Sequence, residues 1–326
     1  MSAAAQKERL TVTGRSVGAI TDRVCAHQAF LYEGREEYLA GTLGFIRAGL
    51  ERGEPVAVSV PTDNLLLLRE ALGSDADAVR LLDMTVEGRN PGQIIPGFLH
   101  AFADAYPDGP VRMIGEPVWA ARSALEYPAC VQHEALVNAA FRGREVAMLC
   151  PYNLRELPAH AIRDARATHP TVLDARGEYD SGSYDPERML DRYNPPLPDP
   201  PATAETFAFD AALLSRARHT VAQYATGSGM SGDRVLDLEL IVGETTANSV
   251  VHGGGRGVLA YWLENSQLCV QIRDAGHFDN PLAGRLPAGT WTAGGRGLLM
   301  VNQFAELVRL HTGPSGTTLR IHVSLT

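Results

Sequence analysis

The spacing of apolar residues along this chain changes character twice and divides it into two halves. In the first half, short apolar runs alternate with stretches of helical period. His27-Gln-Ala-Phe-Leu-Tyr32 reads as a strand. Glu36 to Glu51 follows, with Tyr38, Leu39, Leu43, Phe45, Ile46 and Leu50 on helical spacing. Val56 to Val60 is a strand entered through Pro55, Asn64 to Leu72 a helix, and Val79 to Met84 a strand. Gly92 to Ala105 is a helix, Val111 to Gly115 a strand, Pro128 to Phe141 a helix, and Val146 to Cys150 a strand closed by Pro151. Strands alternating with helices predict an α/β domain with a mostly parallel sheet.

The second half has a different order. Thr206 to Phe209 reads as a strand, and Ala211 to Tyr224 and Asp233 to His252 as helices. Gly257 to Glu264 and Gln267 to Asp274 form a hairpin around Asn265-Ser266. A helix from Leu298 to Leu307 precedes a last hairpin, Leu307 to His311 with Thr317 to Ser324. Helices and antiparallel strands segregate, which predicts an α+β domain with one sheet covered by helices. Between the halves lies Asn194-Pro-Pro-Leu-Pro-Asp-Pro-Pro201, a semi-rigid stretch without regular hydrogen bonds. The expected division is a disordered leader over 1–19, a domain over 20–190, a linker over 191–205 and a domain over 206–326.

The helix Asp233–His252 is apolar on nearly every side, so it is expected to be buried. Glu244 and Asn248 nevertheless share one stripe of it, four residues apart. Burying either without a partner costs a few kcal/mol. They therefore bond to backbone or belong to a site.

Composition narrows the chemistry. The 326 residues are 45% hydrophobic and 21% charged, in the range of a soluble globular protein. The net charge of −9 argues against direct nucleic-acid binding. The absence of an 18-residue apolar run argues against a membrane span, and the N-terminus lacks the apolar core of a secretion signal. Cys25, Cys130, Cys150 and Cys269 show no CxxC spacing, so a reduced cytoplasmic chain is expected. His27, His133 and Cys150 match no standard metal spacing, and no metal is expected there. Lys7 is the sole lysine and lies in the leader, which excludes a Walker A loop and a Schiff-base enzyme.

In the first half, the order strand, helix, Gly53-Glu54 turn, strand resembles the start of a RecA-like core. The phosphate loop is missing: its place is taken by Tyr32-Glu-Gly-Arg-Glu-Glu-Tyr38. His27 to Tyr32, Gly49 to Pro55, Ile114-Gly-Glu116 with Trp119, His133-Glu134 with Asn138, and Cys150-Pro-Tyr152 resemble the MEDS (methanogen/methylotroph DcmR sensory) domain. The resemblance implies a sensor of small organic compounds. Ligands of open α/β sheets sit beyond the carboxyl ends of the strands. The expected pocket is Tyr32, Glu116, Trp119, His133, Glu134 and Tyr152.

In the second half, four elements follow one another: Glu244-xxx-Asn248 on a helix, Asp274-Ala-Gly276 at a strand end, Gly294-Gly-Arg-Gly297-Leu298 opening a helix, and Gly316-Thr-Thr318 entering a strand. In this order they resemble the Bergerat-type ATP-binding fold of gyrase, heat-shock chaperone, histidine kinase and MutL. The likeness is greatest to the anti-sigma-factor serine kinases, whose helix also runs as Glu244, Asn248 and His252 do. The resemblance implies ATP and Mg²⁺ as cofactors. Asn248 would ligate Mg²⁺, Asp274 would accept from the adenine amino group, and Gly276 would let a base approach the backbone. Gly294, Gly295, Arg296, Gly297 and Leu298 would hold phosphates at a helix N-terminus. Thr317 or Thr318 would bond the purine edge, and Glu244 would act as base toward an incoming hydroxyl. One departure stands out. The usual Asp-x-Gly-x-Gly is here Asp274-Ala-Gly-His-Phe278, which implies weaker binding or a nucleotide lid that packs differently.

One helix alone fits between the prolines and Asp233, and His219 on it does not resemble a phosphoacceptor box. The expected function is therefore a sensory domain controlling a serine/threonine kinase of the anti-sigma type. Its partner would be a small anti-anti-sigma (STAS-type) protein or a sigma factor, and the resemblance implies a homodimer. The alternatives are an ATP-binding partner switch without phosphoryl transfer and a divergent histidine kinase lacking its own acceptor.

Overall fold

The computed structural model describes residues 25–286 and 296–326; the expected leader lies outside them. The chain order is β1 (Cys25–Tyr32), α1 (Gly34–Glu51), β2 (Val56–Val60), α2 (Thr62–Leu72), β3 (Val79–Asp83), α3 (Met84–Glu87), α4 (Pro91–Gln93), α5 (Ala101–Asp104), β4 (Val111–Gly115), α6 (Tyr127–Ala140), β5 (Val146–Asn153), α7 (Ala159–Thr168), β6 (Thr171–Asp174), β7 (Gly177–Asp180) and α8 (Pro186–Arg192). These make a seven-stranded sheet in the order β3-β2-β4-β5-β1-β6-β7. It is parallel except at β7, which pairs antiparallel with β6.

Two expectations are corrected here, and one silent stretch is filled in. Gly92 to Ala105 is not one regular helix: a π-helical stretch, Ile94–His100, separates α4 from α5, with Pro96 inside it. Pro151 does not close β5. Beyond Leu149 the neighbour β4 has ended, so Pro151 pairs with Phe30 on one side and needs no N–H on the other. The stretch from α7 to α8, left unassigned by apolar spacing, supplies a helix, a hairpin and a second helix. The antiparallel hairpin explains why the spacing was silent: β7 alternates half-buried and exposed residues over four positions.

The second sheet runs β11-β12-β10-β9-β8 and is wholly antiparallel. This half of the chain runs β8 (Glu205–Asp210), α9 (Leu214–Gly227), α10 (Gly232–His252), β9 (Arg256–Glu264), β10 (Gln267–Asp274), α11 (Gly297–Phe304), β11 (Leu307–Gly313) and β12 (Gly316–Ser324). Asn265 and Ser266 both take positive φ (49° and 62°), the type I′ geometry that a two-residue hairpin needs. Leu268, Val270 and Ile272 of β10 and Leu319, Ile321 and Val323 of β12 point to one face. There they pack against Ala217 and Val221 of α9 and Leu238, Ile241 and Val242 of α10.

The proline stretch covers the other face. Arg320 on β12 lies over the Trp262 ring and donates to the Pro198 carbonyl, and Ala204 packs against Ala260, Trp262 and Cys269. Asn194 brackets β11 by donating to the Thr312 carbonyl at 2.9 Å and accepting from the Thr312 N–H at 3.0 Å. The linker is thus docked along its length.

Candidate functional site

The site is built on α10. The helix leaves Ser231 with the chain still extended, carries Asp233 in its first turn and ends at Gly253; Gly254 and Gly255 follow at φ +88° and +84°. Its inner face includes three hydroxyls, Thr245, Thr246 and Ser249. Thr245 and Thr246 each donate to a carbonyl four residues back, at 2.7 and 2.6 Å, so both are satisfied where they are buried, while Ser249 spends its one proton elsewhere. The prediction of all-round burial is corrected. Leu236, Leu240 and Val251 are 60, 45 and 71% exposed. The helix lies in a single layer over the sheet, and these residues face outward from it. Glu244 and Asn248 sit at the boundary, half-buried.

Opposite Asn248, at the end of β10, Asp274 is fixed on both oxygens. Ser249 Oγ donates to Oδ2 at 2.6 Å, and the Gly276 N–H donates to Oδ1 at 2.9 Å. Three glycines enclose this carboxylate because nothing larger fits. A Cβ on Gly253 would fall 2.4 Å from Asp274 Cγ, one on Gly316 2.0 Å from the Asp274 carbonyl, and one on Gly276 2.5 Å from the His252 carbonyl. Thr317 lies beside Asp274 in the β10–β12 register and donates to the Gly276 carbonyl at 2.8 Å.

Asn248, Asp274, Gly276, Gly297, Leu298 and Thr317 all line one cavity of about 370 Å³. Ile272, Leu310 and Leu319 give it apolar walls. A concave apolar space with a few convergent polar groups is the usual form of a small-ligand site. Other expected members are placed differently. Glu244 stands behind the opening of α11, where a Cβ on Gly297 would come within 2.3 Å of its Oε2. Arg296 is exposed at the start of α11. Thr318 points to the opposite face of β12 from Thr317, as alternation requires, and is corrected out of the cavity wall. Gly294 and Gly295 lie outside the described residues. Ser249 and Gly253 were missed by sequence reasoning, and Gly316 was read only as the first residue of Gly316-Thr-Thr318, without a role of its own. A Ser one residue after Asn248 has no local signature, since its partner is 25 residues away.

Phe278, in place of the second glycine, lines this cavity and a neighbouring one of about 560 Å³. Its N–H donates to Thr312 Oγ1 at 3.0 Å. The larger cavity lies between the two sheets' layers, bounded also by Gln132 and Leu136 of α6 and Leu190 of α8. The described part of the segment expected as a lid, up to Leu286, borders the cavity through Asp279, Asn280, Ala283 and Gly284 and turns its leucines the other way. Leu282 and Leu286 join the apolar cluster around Leu136 and Val137, and Gly284 accepts from Asn302 Nδ2 at 2.9 Å. Asn302 in turn accepts, at its backbone carbonyl, from Asn90 at the start of α4, at 2.7 Å. The approach is close enough that a Cβ on Gly92 would fall 2.1 Å from Asn302 Oδ1.

Residues 26–170 match the model of the MEthanogen/methylotroph, DcmR Sensory domain (MEDS), and residues 207–323 match that of the histidine kinase-like ATPase domain. The chain joins a MEDS domain to a histidine kinase-like ATPase domain. No curated protein matches it. Solved structures resemble parts of it. The RsbU and RsbW domains of Rv1364c from Mycobacterium tuberculosis are 18% identical over 38% of this chain and 33% of that one, with a TM-score of 0.29. The histidine kinase AdeS of Acinetobacter baumannii is 11% identical over 37% of this chain and 68% of that one, with a TM-score of 0.22. The flagellar accessory protein FlaH of Methanocaldococcus jannaschii is 12% identical over 45% and 70%, with a TM-score of 0.25. The first match thus spans about a third of the other chain. No helix among the described residues is long and apolar enough to cross a membrane.

In the MEDS domain the six expected pocket residues do not converge on one space. Tyr32 packs against Tyr38, and burial with the nearby Glu116 charge raises its hydroxyl above the ordinary range. Glu116 is buried beside it, taking Asn64 Nδ2 on both oxygens. Trp119 is half-buried under the Arg122 guanidinium, 3.9 Å from its ring. His133 is buried; desolvation and then the positive charge of Arg285 in the lid hold it well below its ordinary value. Glu134 and Tyr152 are hydrogen-bonded, Tyr152 Oη donating to Glu134 Oε1 at 3.1 Å. They meet His27, Cys150 and His169, the last of which sequence reasoning did not single out. The cavity beside this group is about 10 Å³, room for about one water.

Proposed function

We propose that the ATPase domain binds an adenine nucleotide in the cleft between α10 and β10, and that the MEDS domain controls its use in a protein kinase of the anti-sigma type. Asp274, held by Ser249 and Gly276 on the floor of the 370 Å³ cavity facing Asn248, carries this reading. A carboxylate has about four acceptor positions, and two are taken, so Asp274 retains acceptors for an exocyclic amino group. Ile272, Leu310 and Leu319 suit the faces of a purine. The donor set also fits a divalent ion. Asn248 offers a neutral oxygen, the type Mg²⁺ takes alongside phosphate and water. ATP with Mg²⁺ would supply the transferable phosphoryl group. Thr317 is positioned by the Gly276 carbonyl and orders the loop after Asp274. Glu244, one helical turn before Asn248, would accept the proton of a substrate hydroxyl. The domain layout accords with the proposed RecA-like core without a phosphate loop, followed by a Bergerat-type sandwich, the boundary falling in the proline stretch.

The proposed partner is a small anti-anti-sigma protein of the STAS type or a sigma factor, and the proposed assembly a homodimer in the cytoplasm. Phosphate transfer from labelled ATP to a STAS-type partner tests the activity. Glu244→Ala is expected to lower transfer by about 10²-fold or more while nucleotide binding persists. One observation favours a second reading, a nucleotide-dependent partner switch without transfer: Glu244 stands outside the cavity wall, and Phe278 occupies the place of a glycine. Nucleotide binding in the wild type without transfer to any STAS-type partner supports that reading over the first.

A further inference from the structure

We propose that the MEDS domain holds a tetrahedral divalent transition-metal ion, of the zinc class, on His27, Glu134, Cys150 and His169. The four come from β1, α6, β5 and the residue after α7, so no short motif announces them. All four are buried, and their ligand atoms lie within 4.8 Å of one another. His27 Nε2 is 3.1 Å from Glu134 Oε2 and 3.3 Å from Cys150 Sγ. Glu134 Oε2 is 3.5 Å from His169 Nε2 and 3.8 Å from Cys150 Sγ. In a tetrahedral site, metal–ligand bonds of about 2.0–2.3 Å place neighbouring ligand atoms about 3.3–3.8 Å apart. Four of the six ligand pairs, at 3.1–3.8 Å, are already close to that spacing.

The surrounding hydrogen bonds point the lone pairs inward. His169 Nδ1 lies 2.8 Å from the Ala165 carbonyl, which can accept and cannot donate. The ring proton therefore sits on Nδ1, and Nε2 carries a lone pair. That Nε2 is enclosed without a hydrogen-bond partner, aimed at Glu134. Two lone pairs facing each other in an apolar interior are repulsive unless a proton or a metal ion lies between them. Tyr152 takes Glu134 Oε1 and leaves Oε2 for the ion. The Asn138 amide, 3.2 Å from His27 Nδ1, orients the second ring and, turned over, accepts its N–H. Such outer partners are the usual support of metal-ligating histidine and carboxylate.

Charge agrees with geometry. A thiolate and a carboxylate with two neutral imidazoles carry −2, which a divalent ion cancels, so the loaded site is neutral inside the protein. Two imidazole nitrogens with one thiolate and one carboxylate form a borderline donor set, suited to zinc over calcium or magnesium. The 10 Å³ cavity touching His27, Glu134 and Cys150 leaves room for one further small ligand on the ion.

The test uses the full chain, purified without added metal, assayed for metal by mass spectrometry, then stripped with a chelator and titrated with Co²⁺. The expected result is about one equivalent of zinc-class metal. The expected cobalt form shows intense visible bands of tetrahedral geometry and a thiolate-to-cobalt charge-transfer band. Cys150→Ser should lose the charge-transfer band, and Tyr152→Phe should weaken Co²⁺ binding about 10–100-fold. A stripped wild-type chain that is folded by circular dichroism yet gives no tetrahedral Co²⁺ spectrum overturns the proposal. So does a charge-transfer band that persists in Cys150→Ser. The wild-type titration decides the matter even if a variant does not fold.

Discussion

Glu116 is 4% exposed, and its partner is a neutral amide. Burial, with a smaller push from Glu156, lifts its carboxyl from 4.5 to about 8, against the lowering effect of Asn64. The raised value means that the folded chain holds this proton after the unfolded chain has released it. Stability from this group is therefore full below about pH 4.5 and falls as pH rises to about 8, by on the order of a few kcal/mol. Glu116→Gln should remove that decline, making the variant more stable than wild type at pH 8 in urea unfolding. Parallel pH profiles for the two would contradict it. Gly276 makes a second test: Gly276→Ala sets a Cβ 2.5 Å from the His252 carbonyl and should cost about 1–3 kcal/mol with loss of nucleotide binding. These two residues illustrate what was legible. Gly276 belongs to a local motif, Asp274-Ala-Gly276, whose order in the chain is its order in space. Ser249 and His169 act across 25 and 35 residues, on Asp274 and Glu134, and nothing in their immediate neighbours marks them.

At the scale of elements, most helices and strands follow from apolar spacing, and the departures have causes in neighbouring elements. Pro151 stays in β5 because its pairing with β4 ends at Leu149, and α10 exposes Leu236 and Leu240 because no second helix layer among the described residues covers them. The lid could not be read from composition. Its glycines and prolines suggest a loop over the nucleotide, yet Leu282 and Leu286 are seated against the MEDS domain. Asn302 on α11 ties the two, donating to Gly284 of the lid and accepting from Asn90 of the MEDS domain. Asn302→Ala removes the donor to the Gly284 carbonyl while the backbone carbonyl still accepts from Asn90, and a cost of about 1–3 kcal/mol is expected. Hydrogen exchange should quicken at residues 280–286. Unchanged protection there would mean that this bridge does not hold the lid.

Across the whole molecule, α6 joins the two halves. Its Glu134 reaches the buried His27–Cys150–His169 group, while its Gln132 and Leu136 border the cavity that shares Phe278 with the 370 Å³ cleft. Further ties are the Arg89–Glu306 ion pair and the Arg309 donation to the Leu125 carbonyl at 2.8 Å. A change at the buried MEDS cluster therefore has a short packed route to the cleft, which suits the proposed control of an ATPase domain by a sensory domain. That route serves the proposed function only if the cleft takes a nucleotide. Isothermal calorimetry of the full chain with ATP and Mg²⁺ tests this most directly, with Asp274→Ala alongside. The account predicts saturable, one-to-one binding to the wild type and at least tenfold weaker binding to the variant, since a buried charged hydrogen bond is worth about 1.5–3 kcal/mol. No heat with folded wild-type protein, or equal affinity in Asp274→Ala, would contradict it.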